Sequence, residues 1–166
     1  MGPPWTSLKD ALCNVSLQTS SMDIPHLVAT LITEHADVIK RYRAAVAVAR
    51  WRGRWLLGLS KAKDDRYFRW CFTGGEIDDG ETAEEAATRE CQEESNARCR
   101  AIGKPFELPE VPGVAFVPCL ITHRPKLISK ADEFVSLGLF SSGDIRRLRN
   151  VYHNVPQLIQ IAKRYS

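Results

Sequence analysis

The segment from Gly74 to Ala97, GGEIDDGETAEEAATRECQEESNA, constrains the fold of this chain more than any other part of the sequence. Thr82 followed by Glu85 forms a capping box, which predicts that a helix begins at Ala83. The two glycines that open the segment predict a loop, because glycine can adopt positive φ or let a ligand approach the backbone closely. The sequence therefore specifies a glycine loop that leads into a helix.

Three carboxylates of this helix share one face. At about 100° per residue, Glu90, Glu93 and Glu94 lie within an arc of roughly 100°. The same arc contains the small apolar residues of the helix, Ala83, Ala86 and Ala87. A charged helix facing water is the usual interpretation of a glutamate run, but it does not explain why these acids lie with the alanines. Like charges so placed repel each other, and hard divalent cations such as Mg²⁺ relieve that repulsion.

The spacing of these residues has a counterpart in a known family. Gly75 is followed after five residues by Glu81, then after seven residues by Arg89-Glu90, and two residues later by Glu93-Glu94. This pattern resembles the Nudix box, which is the signature of hydrolases that cleave a diphosphate linked to another group. The resemblance extends over roughly Ala44 to Tyr165, and it implies an α/β fold, the Nudix-type α/β/α sandwich with a mixed β-sheet.

The resemblance also implies roles for individual residues. Glu90, Glu93 and Glu94 look like ligands of Mg²⁺, for which Mn²⁺ can substitute, and the Gly74 carbonyl looks like an additional ligand. Supporting roles fall to Gly75, Glu81 and Arg89, and the arginine would orient carboxylates through charge-assisted hydrogen bonds. Asn96 stands where the family pattern has glycine, but asparagine tolerates the left-handed conformation that a helix end requires.

The general base is left open between two residues. In this family the base is a box glutamate or a glutamate on a later loop. Glu93 is the first choice within the box because it lies in the middle of the acidic set. Glu133 is the downstream candidate, since it comes just before an apolar strand, although it is equally well interpreted as a loop acid beside Asp132.

Substrate recognition is expected to involve residues outside the box. Aromatic side chains that could contact a nucleobase are Trp51, Tyr67, Trp70 and Phe116. Basic side chains that could reach substrate phosphates are Lys61 and Arg66. At such positions aromatic residues more often belong to the core, and basic residues are more often simply solvated.

Composition fits a single small enzyme domain. A chain of 166 residues can bury an adequate core, and a net charge of +3 is too small to indicate a nucleic-acid-binding surface. The five cysteines are scattered and contain no CxxC pair, which argues against a disulfide framework or a zinc site. We find neither the apolar core of a signal peptide nor a run of transmembrane length, so we expect a cytoplasmic protein that does not contact membranes.

The chain divides into three parts. Residues 1–22 are polar and irregular and are expected to be flexible, residues 23–43 form a helix that either covers the domain or makes a homodimer contact, and residues 44–166 form the Nudix domain. Within the domain we predict a hairpin over 44–60 with its turn at Arg52-Gly53, an edge or bulge at Pro118, and further elements. These are strands at 70–72, 97–101, 113–122 and 134–140, and helices at 143–149 and 155–164.

Three functions follow from these observations. The first is Mg²⁺-dependent cleavage of the pyrophosphate bond in a small nucleotide, either a nucleotide sugar such as ADP-ribose or a (deoxy)nucleoside triphosphate. The second applies the same chemistry to the 5′ end of RNA, for which the charge of +3 gives slight support. The third belongs to another class, a nucleotide-binding sensor without catalysis. The intact set of three repelling acids argues against that third function.

Overall fold

A computed structural model describes residues 42–61, 68–129 and 134–165, all within one compact unit, Val38–Ser166. The predicted flexible segment and most of the predicted helix 23–43 lie outside these residues. Tyr42 and Arg43, the last two residues of that predicted helix, are described and are not helical.

The described residues contain eight strands in one mixed sheet. Strand β1 pairs in parallel with β7, and the other pairings are antiparallel. The main strand order is β3-β2-β1-β7-β5, while β4 pairs with β1, β6 with β7 and β8 with β2. The strands are β1 (Ala44–Trp51), β2 (Arg54–Lys61), β3 (Phe68–Cys71), β4 (Thr73–Glu76), β5 (Cys99–Ala101), β6 (Phe106–Leu108), β7 (Val111–Ile121) and β8 (Phe134–Phe140).

Helices cover both faces of this sheet. Helix α1 spans Ala83–Ser95, α2 spans Ser142–Ile145, and α3 spans Val155–Ala162 and continues as a 3₁₀ turn, Lys163–Tyr165. Along β1 the side chains alternate, so that the alanines pack with α1 in one core while Val48 packs with α3 in the other. The α/β/α sandwich predicted for this chain is therefore confirmed.

The first hairpin forms as the sequence predicts. Arg52 and Gly53 have φ of 46° and 77°, which corresponds to the two-residue type I′ turn that suits the twist of a hairpin. Trp51 and Arg54 are paired across this turn. The apolar strand predicted near the end of the chain is also confirmed, as β8.

Pro118 lies neither at an edge of the sheet nor at a bulge of the β1–β7 pairing, so the prediction of an edge or bulge is wrong. Its strand, β7, is internal, with β1 on one side and both β5 and β6 on the other. The β6 pairing reaches Phe116 and the β5 pairing begins at Cys119, which leaves a gap at the proline. The Pro118 carbonyl accepts a hydrogen bond from Ile102 N at 2.9 Å. The missing N–H of the proline therefore falls where neither neighbouring strand needs a donor.

The helix predicted over 143–149 and the strand predicted over 97–101 are both shorter in the structure than predicted. The helix predicted over 143–149 begins at Ser142 and ends at Ile145. Beyond it, Arg147 N and Leu148 N donate to the carbonyls three residues before them, as in tight turns. The strand predicted from Ala97 begins at Cys99. Four cysteines lie among the described residues, and all four are free thiols, as the scattered spacing predicts.

Candidate active site

The paired glycines lie in a strand and not in a loop. Gly74 and Gly75 belong to β4, opposite Val46 and Ala45 of β1, and neither has a positive φ. Glycine is required here for close packing. A Cβ on Gly74 would overlap the Ala45 carbonyl oxygen and the Val46 backbone, and a Cβ on Gly75 would lie 2.5 Å from Glu90 Oε1. The close approach that the glycines predict is therefore present, but the groups that approach the glycine backbone are β1 and the Glu90 side chain of the same chain.

Helix α1 begins and ends where the sequence predicts. The Thr82 side chain accepts a hydrogen bond from Glu85 N at 3.2 Å, and Glu85 Oε2 accepts one from Thr82 N at 2.9 Å. Asn96 ends the helix with φ 58° and ψ 19°, the left-handed conformation expected for the residue in the glycine position. These two caps fix the helix that carries the acidic residues.

Arg89 links the acidic residues around it. Its Nε and Nη2 atoms each donate to Glu81 at 2.9 Å, which forms a bidentate pair. Its Nη1 donates to Glu90 Oε1 at 2.6 Å and to Glu93 Oε2 at 3.3 Å. Nη2 also donates to the Glu76 carbonyl, at the end of β4, at 3.0 Å. One guanidinium therefore ties the helix to the glycine strand.

The same pairing keeps both partners ionised. The hydrogen bond from Arg89 lowers the pKa of Glu81 below its ordinary value, and the hydrogen bond to Glu81 raises the pKa of Arg89. Glu81 therefore carries its charge throughout the neutral range, and this charge fixes the arginine between Glu90 and Glu93.

The three box glutamates differ in exposure. Glu94 is buried, and its Oε2 accepts a hydrogen bond from Gly74 N at 2.9 Å. The Glu90 side chain is 15% exposed and lies against Gly75. The Glu93 side chain is 60% exposed. The three acids therefore differ in their surroundings: Glu94 is hydrogen-bonded to β4, Glu90 packs against β4, and Glu93 faces solvent.

The donor set suits a hard divalent cation, although the acids are not gathered around a common point. Among the described residues no three His, Cys, Asp or Glu side chains lie close enough together to hold a metal ion. Glu90 and Glu94 nevertheless contact consecutive residues of β4, where the absence of a Cβ on Gly75 leaves the space that the Glu90 carboxylate fills. Carboxylate and carbonyl oxygens are the ligands that Mg²⁺ prefers.

A cavity of about 320 Å³ adjoins the other side of the glycine strand. Its walls are mainly apolar and come from β1, β4, β7 and the start of α3. The lining residues are Ala44, Val46, Ser60, Cys71, Phe72, Gly74, Gly75, Val111, Val114, Phe116, Tyr152, Asn154, Val155 and Leu158. Because Gly74 and Gly75 contact box carboxylates and also line the cavity, the glycine strand joins the two halves of the candidate site.

Three of the aromatic residues predicted to contact substrate are described by the structure, namely Trp51, Trp70 and Phe116. Of these three, Phe116 lines the cavity and the two tryptophans do not. Trp51 packs with the α1 core and lies beneath the Arg52 guanidinium at 5.0 Å. Trp70 packs edge-on against Phe140 at 4.8 Å, in the α3 core. Both tryptophans therefore have packing roles in this structure. The predictions for Arg66, Tyr67, Glu133 and the side chain of Lys61 lie outside the described residues.

Tyr152 and Asn154 line the cavity but were not among the site residues predicted from the sequence. Tyr152 reaches the site because its backbone N–H donates to the Trp70 carbonyl at 3.0 Å, which holds the chain after α2 against β3. Its ring lies beneath the Arg69 guanidinium at 5.2 Å. Asn154 directly precedes α3, and a residue of this type before a helix points to a structural cap instead of a site.

A family model and several solved structures match this chain. The family model described as NUDIX domain matches residues 40–155. No curated protein sequence matches the chain. Similar solved structures include a hydrolase of the NUDIX family from Clostridium perfringens, with a TM-score of 0.58, 16% identity, and coverage of 74% of this chain and 95% of that one. At such identity these matches show the fold.

Two further solved structures have the same fold. An Ap4A hydrolase from C. elegans has a TM-score of 0.58 and 17% identity, and the match covers 74% of this chain and 96% of that one. The MutT protein from Methanosarcina mazei Go1 has a TM-score of 0.52 and 21% identity, with coverage of 75% and 95%. No helix in the described part of the chain is both long enough and apolar enough to cross a membrane.

Proposed function

Because this chain belongs to the Nudix family of hydrolases, which act on the pyrophosphate bonds of nucleoside diphosphate derivatives, we propose that it is a Mg²⁺-dependent pyrophosphohydrolase of small nucleotides. Its substrate is a nucleotide sugar such as ADP-ribose or a (deoxy)nucleoside triphosphate. The observation that carries this proposal is the position of Gly74 and Gly75, which contact the box carboxylates and also line the cavity. A nucleotide seated in the cavity would extend its phosphates across this strand towards the acids.

Glu90, Glu93 and Glu94, with the Gly74 carbonyl, are the groups that would hold Mg²⁺, or Mn²⁺ in its place. When bound, the cation offsets the charge of the phosphate oxygens and makes water more acidic. Arg89 holds the Glu90 carboxylate at 2.6 Å, and Glu94 is held by Gly74 N. The chain therefore fixes two of its acids before substrate arrives, which lowers the reorganisation needed for catalysis.

Glu93 is the residue we assign as general base. Its carboxylate is the most exposed of the three, and its contact with Arg89, at 3.3 Å, is longer than that of Glu90. A base must reach the water that attacks phosphorus, and an exposed carboxylate can do so without losing a buried partner. Glu133 is the alternative base. Because Glu93 is also a proposed metal ligand, Glu93→Gln should lose activity under either assignment, and Glu133→Gln is the variant that separates them: it removes activity if Glu133 is the base and retains activity if Glu93 is.

A substrate panel tests the proposed activity. Wild-type protein with Mg²⁺ or Mn²⁺ is incubated with ADP-ribose, each (deoxy)nucleoside triphosphate and an RNA with a 5′-triphosphate, and the products are separated by chromatography. Release of a nucleoside monophosphate from a small substrate supports the proposal. Activity on the RNA alone would assign the second function, and binding without turnover of any substrate would assign the sensor function.

A further inference from the structure

We infer that Arg50 and Arg100 form a binding site for a phosphate dianion. The site lies near the end of β1, whereas Gly74 and Gly75 pair with the start of that strand. From Val46 to Arg50 the strand rises by about 13 Å, so this site is separate from the Nudix box and from the cavity. The inference does not depend on the proposed hydrolysis.

The pairing of three strands places the two arginines on either side of one leucine. Arg50 of β1 and Arg100 of β5 are both paired with Leu120 of β7, the strand that lies between them. Residues paired directly across a sheet project from the same face. Adjacent strands are about 4.8 Å apart, so the two arginine Cα atoms are separated by about 10 Å. Two extended arginine side chains span this distance, and both guanidinium groups can therefore contact one small anion above Leu120.

This end of the sheet face is accessible to solvent. Val48, two residues before Arg50, and Trp55, which is paired with Arg50, both pack in the α3 core. The arginines therefore project from the face of the sheet that α3 covers farther along. Arg50 and Leu120 are only half-buried, and Arg100 is exposed. A small anion can therefore reach both guanidinium groups from solvent.

Arg50 has a buried donor that lacks an acceptor. Its Nε atom is buried, and no atom of the described residues accepts a hydrogen bond from it. In the same part of the chain, neither Arg50 nor Arg100 forms an ion pair with a carboxylate. Asp144 follows β8, whose last residue pairs with Trp55, but it is bonded to Arg147 at 2.9 Å. A buried donor left unpaired costs free energy, and an anion bound here would supply the missing acceptor.

The number of guanidinium groups favours phosphate over carboxylate. A carboxylate carries one charge, and a single arginine fork satisfies both of its oxygens. Two arginines match the two charges of a phosphate dianion and offer donors to more than two of its oxygens. Free phosphate and the terminal phosphate of a sugar ester share this chemistry, so the ligand is one of these two.

Calorimetric titration of metal-free protein with inorganic phosphate tests the site, at about pH 8, where phosphate is mainly a dianion. Without metal, the box carboxylates repel phosphate and do not contribute. Wild type should bind, and Arg50→Gln and Arg100→Gln should each weaken binding about tenfold or more, the loss expected for charge-assisted hydrogen bonds. Because both arginines contact one phosphate, the double variant should lose less than the product of the two single losses. Arg149→Gln removes the same charge at another exposed arginine and should leave binding unchanged.

Three further measurements complete the test. Ribose 5-phosphate bound at least as tightly as inorganic phosphate assigns the site to esters, and weaker binding of the ester assigns it to free phosphate. Arg100→Gln changes an exposed side chain and should keep the wild-type unfolding midpoint, so its weaker binding does not reflect unfolding. No binding of phosphate by wild type, acetate bound as tightly as phosphate, unchanged binding by Arg100→Gln, or equal weakening by Arg149→Gln would each overturn the inference. Since these titrations contain neither metal nor a diphosphate, a failure of hydrolysis leaves their result intact.

Discussion

Gly75→Ala is expected to separate catalysis from folding. A Cβ at this position would lie 2.5 Å from Glu90 Oε1, 2.6 Å from Glu90 Cδ and 2.9 Å from Glu90 Oε2. All three atoms belong to the end of a flexible side chain, so the carboxylate can swing away while the backbone stays in place. The substitution should therefore displace one of the proposed metal-ligating carboxylates without disturbing the sheet.

The structure sets the size of both effects. Moving Glu90 breaks its hydrogen bond with Arg89 and changes its rotamer, which should lower the free energy of unfolding by about 1–2 kcal/mol. A misplacement on the order of 1 Å at a reacting group costs about 100-fold in rate. We therefore expect Gly75→Ala to lose about 100-fold in kcat while it still unfolds cooperatively in a denaturant titration.

Two other glycines provide controls. Gly143→Ala meets its nearest neighbour at 3.6 Å, an ordinary contact, and should retain both activity and stability. Gly74→Ala would meet backbone atoms of Ala45 and Val46, which cannot move aside, and should lose about 3 kcal/mol or more of stability. Full activity of Gly75→Ala, or a stability as low as that of Gly74→Ala, would contradict these expectations.

Two further predictions concern charged pairs. Arg89→Lys should cost about 2 kcal/mol of stability at neutral pH, because lysine cannot form the bidentate pair with Glu81. Since the pKa of Glu81 is lowered in the folded state, that loss should persist above pH 4.5 and shrink as the pH falls through the folded pKa, a trend measurable by denaturant titration and contradicted by a constant difference. Hydrogen bonds from Ser141 lower the pKa of Asp144 to about 2. An NMR titration should therefore find Asp144 ionised at pH 3, and a midpoint near 4 would be inconsistent with this capping box.

Much of the fold was readable from local chemistry. The capping box at Thr82, the left-handed Asn96 and the turn at Arg52-Gly53 are each determined by residues a few positions apart, and all three are found in the structure. The prediction for Pro118 was wrong because the neighbouring residues in the sequence do not determine where a proline is tolerated in a strand. Whether a proline is tolerated depends on which strands flank it, and the gap between β5 and β6 is a property of the assembled sheet.

Some features of the candidate site also follow from local sequence, while others depend on how distant segments pack together. The spacing of the box predicts which acids share a helix, but it does not give their exposure, which depends on β4 packing against α1. The cavity was less accessible to sequence reasoning. Tyr152 and Asn154 lie more than 75 residues from the glycines that they adjoin, and they reach the site through backbone hydrogen bonds between Tyr152 and Trp70 and between Asn150 and Trp70. Residue type alone predicted substrate contacts for Trp51 and Trp70, but in the structure each packs against one of the two hydrophobic cores.

Metal-dependent hydrolysis by the box glutamates is tested by measuring how nucleotide hydrolysis by wild type and by Glu93→Gln depends on Mg²⁺. Because the Glu93 side chain is 60% exposed, the variant should fold with an unchanged unfolding midpoint. We expect wild type to release a nucleoside monophosphate only when Mg²⁺ or Mn²⁺ is present, and Glu93→Gln to be slower by about 10²- to 10⁴-fold. Metal-independent hydrolysis, or full activity of the folded variant, would show that the box glutamates do not act as proposed.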